Sequence, residues 1–361
     1  MEVATALLRD ESRDAGIAPS FPEHTMPRTR STSAPSASAA TRRSRSGQRA
    51  EMTTGVVIPG DVDDITVDAG GRSVKLTNLR KPFWTREGIT KGDLLRYYAD
   101  VAPLLLPHVR ERAMVMKRYP HGAEGEPFFM KRAPTPRPEW IETCSIAHAS
   151  GNVIDFPIVQ DLASLLWIVN LGCIDLNPWY ARCDDVDRPD YLHFDLDPVT
   201  GATFENVRAT ALIVRDALES LGMQPYVKTT GSKGVHVYVP IVRAPTQKQV
   251  WTFAKQFAFA LAKQHAGLIT AEYRIAKRPE GHVLVDYNQN AWGRTLASVY
   301  SPRPRPRATV STPIEWHELA GGAMIDDFRI DNVRARFAKV GDLWAPVDAP
   351  ERRFDLLSLF K

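Results

Sequence analysis

At 361 residues with 43% apolar side chains, the chain can bury a sizeable core, and 46 Lys and Arg against 42 Asp and Glu leave a net charge of +4. That excess is compatible with a polyanionic partner without demanding one. Cys144, Cys173 and Cys183 form an odd set with no C-x-x-C pair, which argues against a zinc knuckle or disulfide framework and for a reducing cytoplasm. The longest apolar stretch, Leu162 to Ile174, is too short to span a bilayer, so a soluble, membrane-free protein is expected.

Residues 1–55 are rich in Ser, Ala, Pro and Arg, with six arginines and no acid from Arg28 to Arg49. Such a segment buries too little apolar surface to order itself. It reads as a disordered basic tail, or as an untranslated leader to a start at Met52. Globular pattern follows over residues 56–350. Ile65–Asp68 and Ser73–Leu76 flank Gly70-Gly71 as a hairpin. Thr90 with Asp93 caps an amphipathic helix carrying Leu94, Tyr97, Tyr98, Val101 and Leu104. Met114–Tyr119 and Pro127–Lys131 read as short strands, and Gln160–Asn170 as a buried helix. Thr203 caps a helix stopped by Gly222, and Thr246 opens another that ends near Gln264. Residues 351–361 read as a C-terminal tail.

The chemistry concentrates in the second half. Tyr191–Pro198, Y-L-H-F-D-L-D-P, is an apolar strand that places Asp195 and Asp197 on one face while Phe194 and Leu196 face the core. Two like charges there repel and lose hydration, which a divalent ion with hard oxygen ligands relieves. A strand over Tyr226–Thr229 leads into Thr230-Gly231-Ser232-Lys233-Gly234 and then a strand over Val235–Val239 carrying His236. The glycines let the backbone turn its amides toward an anion, with donors from Thr230, Ser232 and Lys233, although the Walker A spacing is missing. His282–Tyr287 is a further apolar strand, carrying a third acid, Asp286. Arg294–Arg307 is a proline-broken basic tract, from which Arg303 is the candidate for a phosphate contact.

F-D-L-D-P, T-G-S-K-G-V-H-V and V-L-V-D-Y-N-Q-N, in this order, resemble the three motifs of the archaeo-eukaryotic primase superfamily. The closer likeness, over Val74 to Pro346, is to the bacterial repair polymerases found as the polymerase domain of the end-joining ligase LigD and as stand-alone relatives. The resemblance implies an α+β primase-polymerase fold: an RRM-like palm of mixed or antiparallel sheet with helices, and an N-terminal α/β module. It implies a template-dependent nucleotidyltransferase that adds NTPs or dNTPs to a primer 3′-hydroxyl at gaps or breaks bearing a 5′-phosphate. By this likeness, Asp195, Asp197 and Asp286 hold two Mn²⁺ or Mg²⁺ ions. Thr230, Gly231, Ser232, Lys233, His236 and Arg303 bind the nucleotide, Lys81 and Lys117 grip the 5′-phosphate, and Phe128 and Phe129 stack on the template. Asn177, in I-D-L-N-P-W-Y, departs from a histidine of some relatives, which puts a nucleotide contact from that turn in doubt. DNA is the implied partner, joined by a Ku-like protein and a separate ligase if the setting is end joining, while short-gap filling in excision repair fits equally; a nucleoid-associated cytoplasmic location follows.

Two alternatives compete. A phosphohydrolase of the haloacid dehalogenase type also places D-x-D after an apolar strand, but normally continues Gly-Thr where Pro198 and Val199 stand here. A non-catalytic DNA-end binder that retains the fold is the other; three preserved acids argue against it.

Overall fold

The computed structural model describes residues 55–148 and 150–360. The expected basic tail and the Met52 start therefore lie outside the described residues, apart from Gly55. In chain order the first half runs β1 (Ile65–Asp68), β2 (Ser73–Leu76), β3 (Pro82–Trp84), β4 (Ile89–Thr90), α1 (Lys91–Val109), β5 (Met114–Arg118), β6 (Phe128–Met130), β7 (Thr143–Ala147), β8 (Val153–Pro157), α2 (Leu162–Asn170) and β9 (Cys173–Pro178). The second half runs β10 (Tyr191–Pro198), α3 (Phe204–Ser220), β11 (Tyr226–Thr229), β12 (Val235–Pro240), α4 (Gln247–Gln264), β13 (Ile269–Thr270), β14 (Val283–Asp286), β15 (Pro313–Ile314), α5 (Trp316–Ala320), α6 (Val333–Val340) and α7 (Ala345–Asp348).

Helix starts follow local chemistry. Thr90 with Asp93, Asp161 with Ser164, Thr203 with Asn206 and Thr246 with Gln249 form reciprocal capping boxes on α1 to α4. Each box satisfies donors that a helix N-terminus otherwise leaves bare. Gly70 and Gly71, at φ +67° and +83°, close the β1–β2 hairpin in a conformation that side chains with a Cβ rarely adopt.

The central sheet has six strands in the order β13-β14-β10-β12-β11-β15. Every pairing is antiparallel except β13 with β14. Alternation along β10 buries Leu192, Phe194 and Leu196 completely, against α3 and α4. Phe194 meets Phe257 of α4 with ring centroids 5.0 Å apart, and Val207, Ala211, Val214 and Leu218 complete the layer from α3. The helices thus cover one face of the sheet, as an RRM-like palm requires. A second, three-stranded sheet, β6-β5-β9, and the hairpins β1–β2, β3–β4 and β7–β8 build the N-terminal half.

One expectation fails. Cys144 of β7 and Cys183 form a disulfide, with Cα atoms 5.9 Å apart, while Cys173 is buried and free. The odd count and absent C-x-x-C said nothing about two cysteines 39 residues apart that packing of the β7–β8 hairpin brings together. The residues read as a C-terminal tail also engage the body. Phe354 donates its amide to the Pro240 carbonyl at 2.9 Å and accepts from the Val242 amide at 3.0 Å, and Leu356 is fully buried.

A buried charge network locks this terminus to α1 and to the start of β10. His108 bonds Asp348 through Nδ1 at 2.5 Å and Asp342 through Nε2 at 2.9 Å. Arg182 links Asp348 to Asp190, which also holds the fully buried Arg112 through both carboxylate oxygens. Burial opposes a charge on His108, but the two carboxylates more than offset it and raise its pKa to about 9. The raised value contributes stability in full below the unfolded-state pKa near 6.5 and loses it as pH climbs through 9, on the order of 3 kcal/mol in all. His108→Gln should therefore flatten the fall in unfolding free energy between pH 6.5 and 9, measured by urea titration. Equal slopes for the variant and the parent would contradict the assignment.

Candidate active site

The sheet face opposite α3 and α4 carries the site. Antiparallel register sets Lys228 of β11 opposite His236 of β12, His236 opposite Asp195 of β10, and Asp195 opposite Asp286 of β14. Directly opposed residues share a face, so one polar row crosses four apolar strands. Asp197 lies on the same face as Asp195, two residues further along β10. The strand alternation inferred from the D-x-D motif is thus realised.

The acids pay for this placement in solvation. Burial, and then the charge of Asp286, push the Asp195 carboxyl up to about 7. The charge of Asp195, and then burial, do the same for Asp197. Asp195 Oδ1 is buried with no hydrogen-bond partner; His236 Nε2 lies 3.2 Å away but off the line of a hydrogen bond. An orphaned carboxylate oxygen between two neighbouring acids is the chemistry of a divalent cation site, and these residues fit one. The third ligand is near but engaged: Asp286 accepts from the Asn288 amide at 2.8 Å and from Gln289 Nε2 at 2.9 Å. Among the described residues no three acidic, histidine or cysteine side chains already converge on one point. Asp286 thus sits beside the other two acids without joining them in a closed ligand set.

Beside the acids opens a cleft of about 370 Å³. Of the residues singled out from sequence, Asp195, Asp197, Thr230, Ser232, Lys233, His236 and Arg303 line it, and Asn177 of β9 reaches it too. The turn after β11 is built around the Thr230 hydroxyl, which accepts from the amides of Ser232, Lys233 and Gly234 at 3.0, 3.2 and 3.2 Å. Three consecutive N–H groups converging on one oxygen form a nest suited to an anion. In this structure the side chain of Thr230 fills that position. Both glycines are obligatory. Gly231 has φ +64°, and a Cβ at Gly234 would fall 1.9 Å from the Leu196 carbonyl oxygen of β10.

The basic tract folds onto this turn. Arg303 donates to the Thr230 carbonyl at 2.7 Å, and its Nε lies 3.5 Å from the buried Asp175 carboxylate. Arg305 donates to Ser232 Oγ at 3.0 Å, and the Trp84 indole holds the Arg305 carbonyl at 3.0 Å. Lys233, Arg303 and Arg305 therefore set positive charge across the cleft from Asp195 and Asp197.

Lys81, Lys117, Phe128 and Phe129 occupy a different patch. Lys117 of β5 pairs across the strand with Phe129 of β6, its Nζ 5.6 Å from that ring. Phe128 and Phe129 are 42% and 66% exposed, unusual for phenylalanine and suited to stacking. Lys81 donates to the Pro120 carbonyl at 2.6 Å, which places it beside the end of β5.

Sequence reading missed Lys228 and Asp175. Lys228 had a signal: in Y-V-K-T it alternates with Val227 and Thr229, and period two puts it on the face of the acids. Asp175 had none, because its partner Arg303 is far away in sequence.

The LigD primase-polymerase domain model matches residues 90–344. The multifunctional non-homologous end joining protein LigD of Mycolicibacterium smegmatis is 32% identical over 290 residues, covering 80% of this chain and 38% of that protein. The chain belongs to the LigD primase-polymerase domain family. The bifunctional LigD of Bacillus subtilis is 30% identical, over 74% of this chain and 43% of its own length. The polymerase domain of Mycobacterium tuberculosis ligase D, solved in complex with DNA, superposes with a TM-score of 0.72 at 31% identity, covering 77% of this chain and 98% of that one. This primase-polymerase spans about two fifths of the full-length relatives it matches. Family membership makes it a nucleotidyltransferase of the polymerase type, on an α+β fold of antiparallel sheets and helices. It removes the phosphohydrolase alternative. Among the described residues no helix is long and apolar enough to cross a membrane.

The crowding of the acids has two measurable consequences. At pH 8 without metal, Asp195→Asn should be more stable than the parent by a few kcal/mol, a gain that shrinks as pH falls from 7 toward 4, because over that range the folded parent binds a proton that the unfolded chain takes up only near 3.8. Asp195→Ala, Asp197→Ala and Asp286→Ala should each reduce nucleotide addition by roughly 10³-fold or more. A destabilised Asp195→Asn, or an alanine variant that retains full activity, would refute the arrangement.

Proposed function

We propose that this primase-polymerase extends a primer 3′-hydroxyl, under template direction, at gaps or breaks in DNA that carry a 5′-phosphate. The observation that carries the reading is the acid pair Asp195 and Asp197, which lines a cleft together with Thr230, Ser232 and Lys233 of the turn, with Asp286 opposite Asp195 on the next strand. Carboxylates on one wall and the cations Lys233, Arg303 and Arg305 on the other match a nucleoside triphosphate and its metal.

Two divalent ions, Mn²⁺ or Mg²⁺, held by Asp195, Asp197 and Asp286, would lower the pKa of the primer hydroxyl and offset charge on the departing pyrophosphate. The chain's own residues do the rest. Lys233, with the Gly231 and Ser232 backbone, orients the triphosphate and supplies fixed positive potential where negative charge develops. Arg303, held by the Thr230 carbonyl and Asp175, extends that potential toward the base of the cleft. His236 Nε2 faces Asp195 and serves the acid or a phosphate oxygen at the cleft floor. Lys117 and Lys81 grip the downstream 5′-phosphate, and exposed Phe128 and Phe129 stack on the template. Both NTPs and dNTPs are substrates in this reading, and end joining with a Ku-like protein and a separate ligase is its biological setting.

The test is extension of a primer on a gapped duplex with and without the downstream 5′-phosphate, comparing NTP with dNTP and Mn²⁺ with Mg²⁺. Extension should be stronger on the phosphorylated gap. Lys117→Ala should remove that preference, about tenfold in affinity for the gapped duplex, while leaving extension of a simple primer-template nearly intact. No extension on any substrate with either metal would favour the non-catalytic end binder, and equal loss on both substrates would overturn the role of Lys117.

A further inference from the structure

Lys228 is 1% exposed and sits at the far end of the polar row, behind His236 as seen from the acids. Its Nζ has three neighbours at hydrogen-bond distance: Ser311 Oγ at 2.6 Å, His236 Nδ1 at 2.8 Å and the Ala297 carbonyl at 3.0 Å. The Ala297 carbonyl can only accept. Ser311 spends its own hydrogen on the Thr229 carbonyl at 3.0 Å, so toward Lys228 it accepts as well. Two N–H groups of the lysine are therefore committed, and the third direction points at the imidazole. Burial draws the Lys228 pKa well below the usual ammonium range and Arg303 adds to that, while Asp195 opposes it. The ammonium, with three N–H groups, serves all three acceptors, whereas a neutral amine would turn its lone pair to a proton on Nδ1.

We propose that Lys228 is a positioning residue for the nucleotidyl-transfer site: by donating to His236 Nδ1 it confines the imidazole proton to Nε2, the atom 3.2 Å from Asp195 Oδ1. In that tautomer the ring offers a donor to the catalytic acid and to the cleft. In the other it would set a bare nitrogen lone pair against a carboxylate and a triphosphate, which repels both. The bond at Nδ1 opposes a ring flip, while a small rotation would align Nε2–H with Asp195. Outer contacts of this kind orient the ligands of metal-dependent sites, and losing one typically costs 10- to 100-fold in activity or metal affinity. The inference rests on the polymerase reading for its effect on turnover, but not for its structural content.

Nitrogen-15 NMR of the histidine-labelled protein at neutral pH decides the structural content, with His236 assigned by its absence in His236→Ala. The neutral, Nε2-protonated pattern is expected for the parent. A Nδ1-protonated or doubly protonated ring would overturn the proposal, whether or not the protein polymerises and whether or not any variant folds. Lys228→Met, which keeps the length of the side chain and removes the donors, should lose the single-tautomer pattern. Its kcat for primer extension should fall by roughly 10- to 100-fold. Lys228→Met combined with His236→Ala should be no slower than His236→Ala alone, because the lysine acts through the ring. Additive losses in the double variant would assign Lys228 a merely structural role and overturn the inference. A parent protein that shows the expected tautomer yet extends no primer would defeat the polymerase reading and leave the positioning geometry standing.

Discussion

A carboxylate buried beside other carboxylates is the constraint from which the rest of this structure follows. Asp195 has lost its water, faces Asp286 across the strand and Asp197 along it, and keeps one oxygen without a hydrogen-bond partner. Such a group is tolerated only where the surrounding frame is stiff and where something positive is within reach. The frame is the palm: β10 is packed on its other face by Phe194 and Leu196 against two capped helices, and flanked on both edges by antiparallel partners. The positive charge comes from Lys233, Arg303 and Arg305 across the cleft.

The turn between β11 and β12 shows how closely site and frame are joined. Gly234 lies so near the Leu196 carbonyl that no side chain fits, and this contact presses the nest against the strand that bears the acids. The Thr230 hydroxyl, holding three amides at once, keeps the nest in shape. Arg303 and Arg305 then seal the outer side, and Trp84 ties their tract back to the N-terminal half. The patch of Lys117, Phe128 and Phe129 stands on the other sheet, so the two groups of residues belong to separate strand systems that β9, carrying Asp175 and Asn177, connects. The buried network of His108, Asp342, Asp348, Arg182, Asp190 and Arg112 closes the C-terminal segment onto the start of β10, behind the acids.

Much of this was legible in the residues. The capping pairs at Thr90, Thr203 and Thr246, the glycine turn at Gly70-Gly71 and the alternation of Y-L-H-F-D-L-D-P are signals whose cause lies within a few residues of their effect, and each forms as read. The acids and the nest could likewise be named from three short motifs, and the Phe pair from the family likeness alone. Lys228 could have been found by the same alternation, had a lysine in an apolar strand been taken as a buried group.

What the sequence alone determined was therefore which side chains share a face, where helices begin and which family's chemistry the motifs carry, because those depend on backbone periodicity and local hydrogen bonds. What only the tertiary structure decided was the pairing: Asp195 against Asp286, His236 between Lys228 and Asp195, Arg303 on Thr230 and Asp175, Cys144 joined to Cys183, and Asp286 turned to Asn288 and Gln289 rather than to its fellow acids. These contacts join residues from different elements or depend on the final choice of a side-chain rotamer. They are set by strand register and by the packing of the apolar core, which no short stretch of chain encodes.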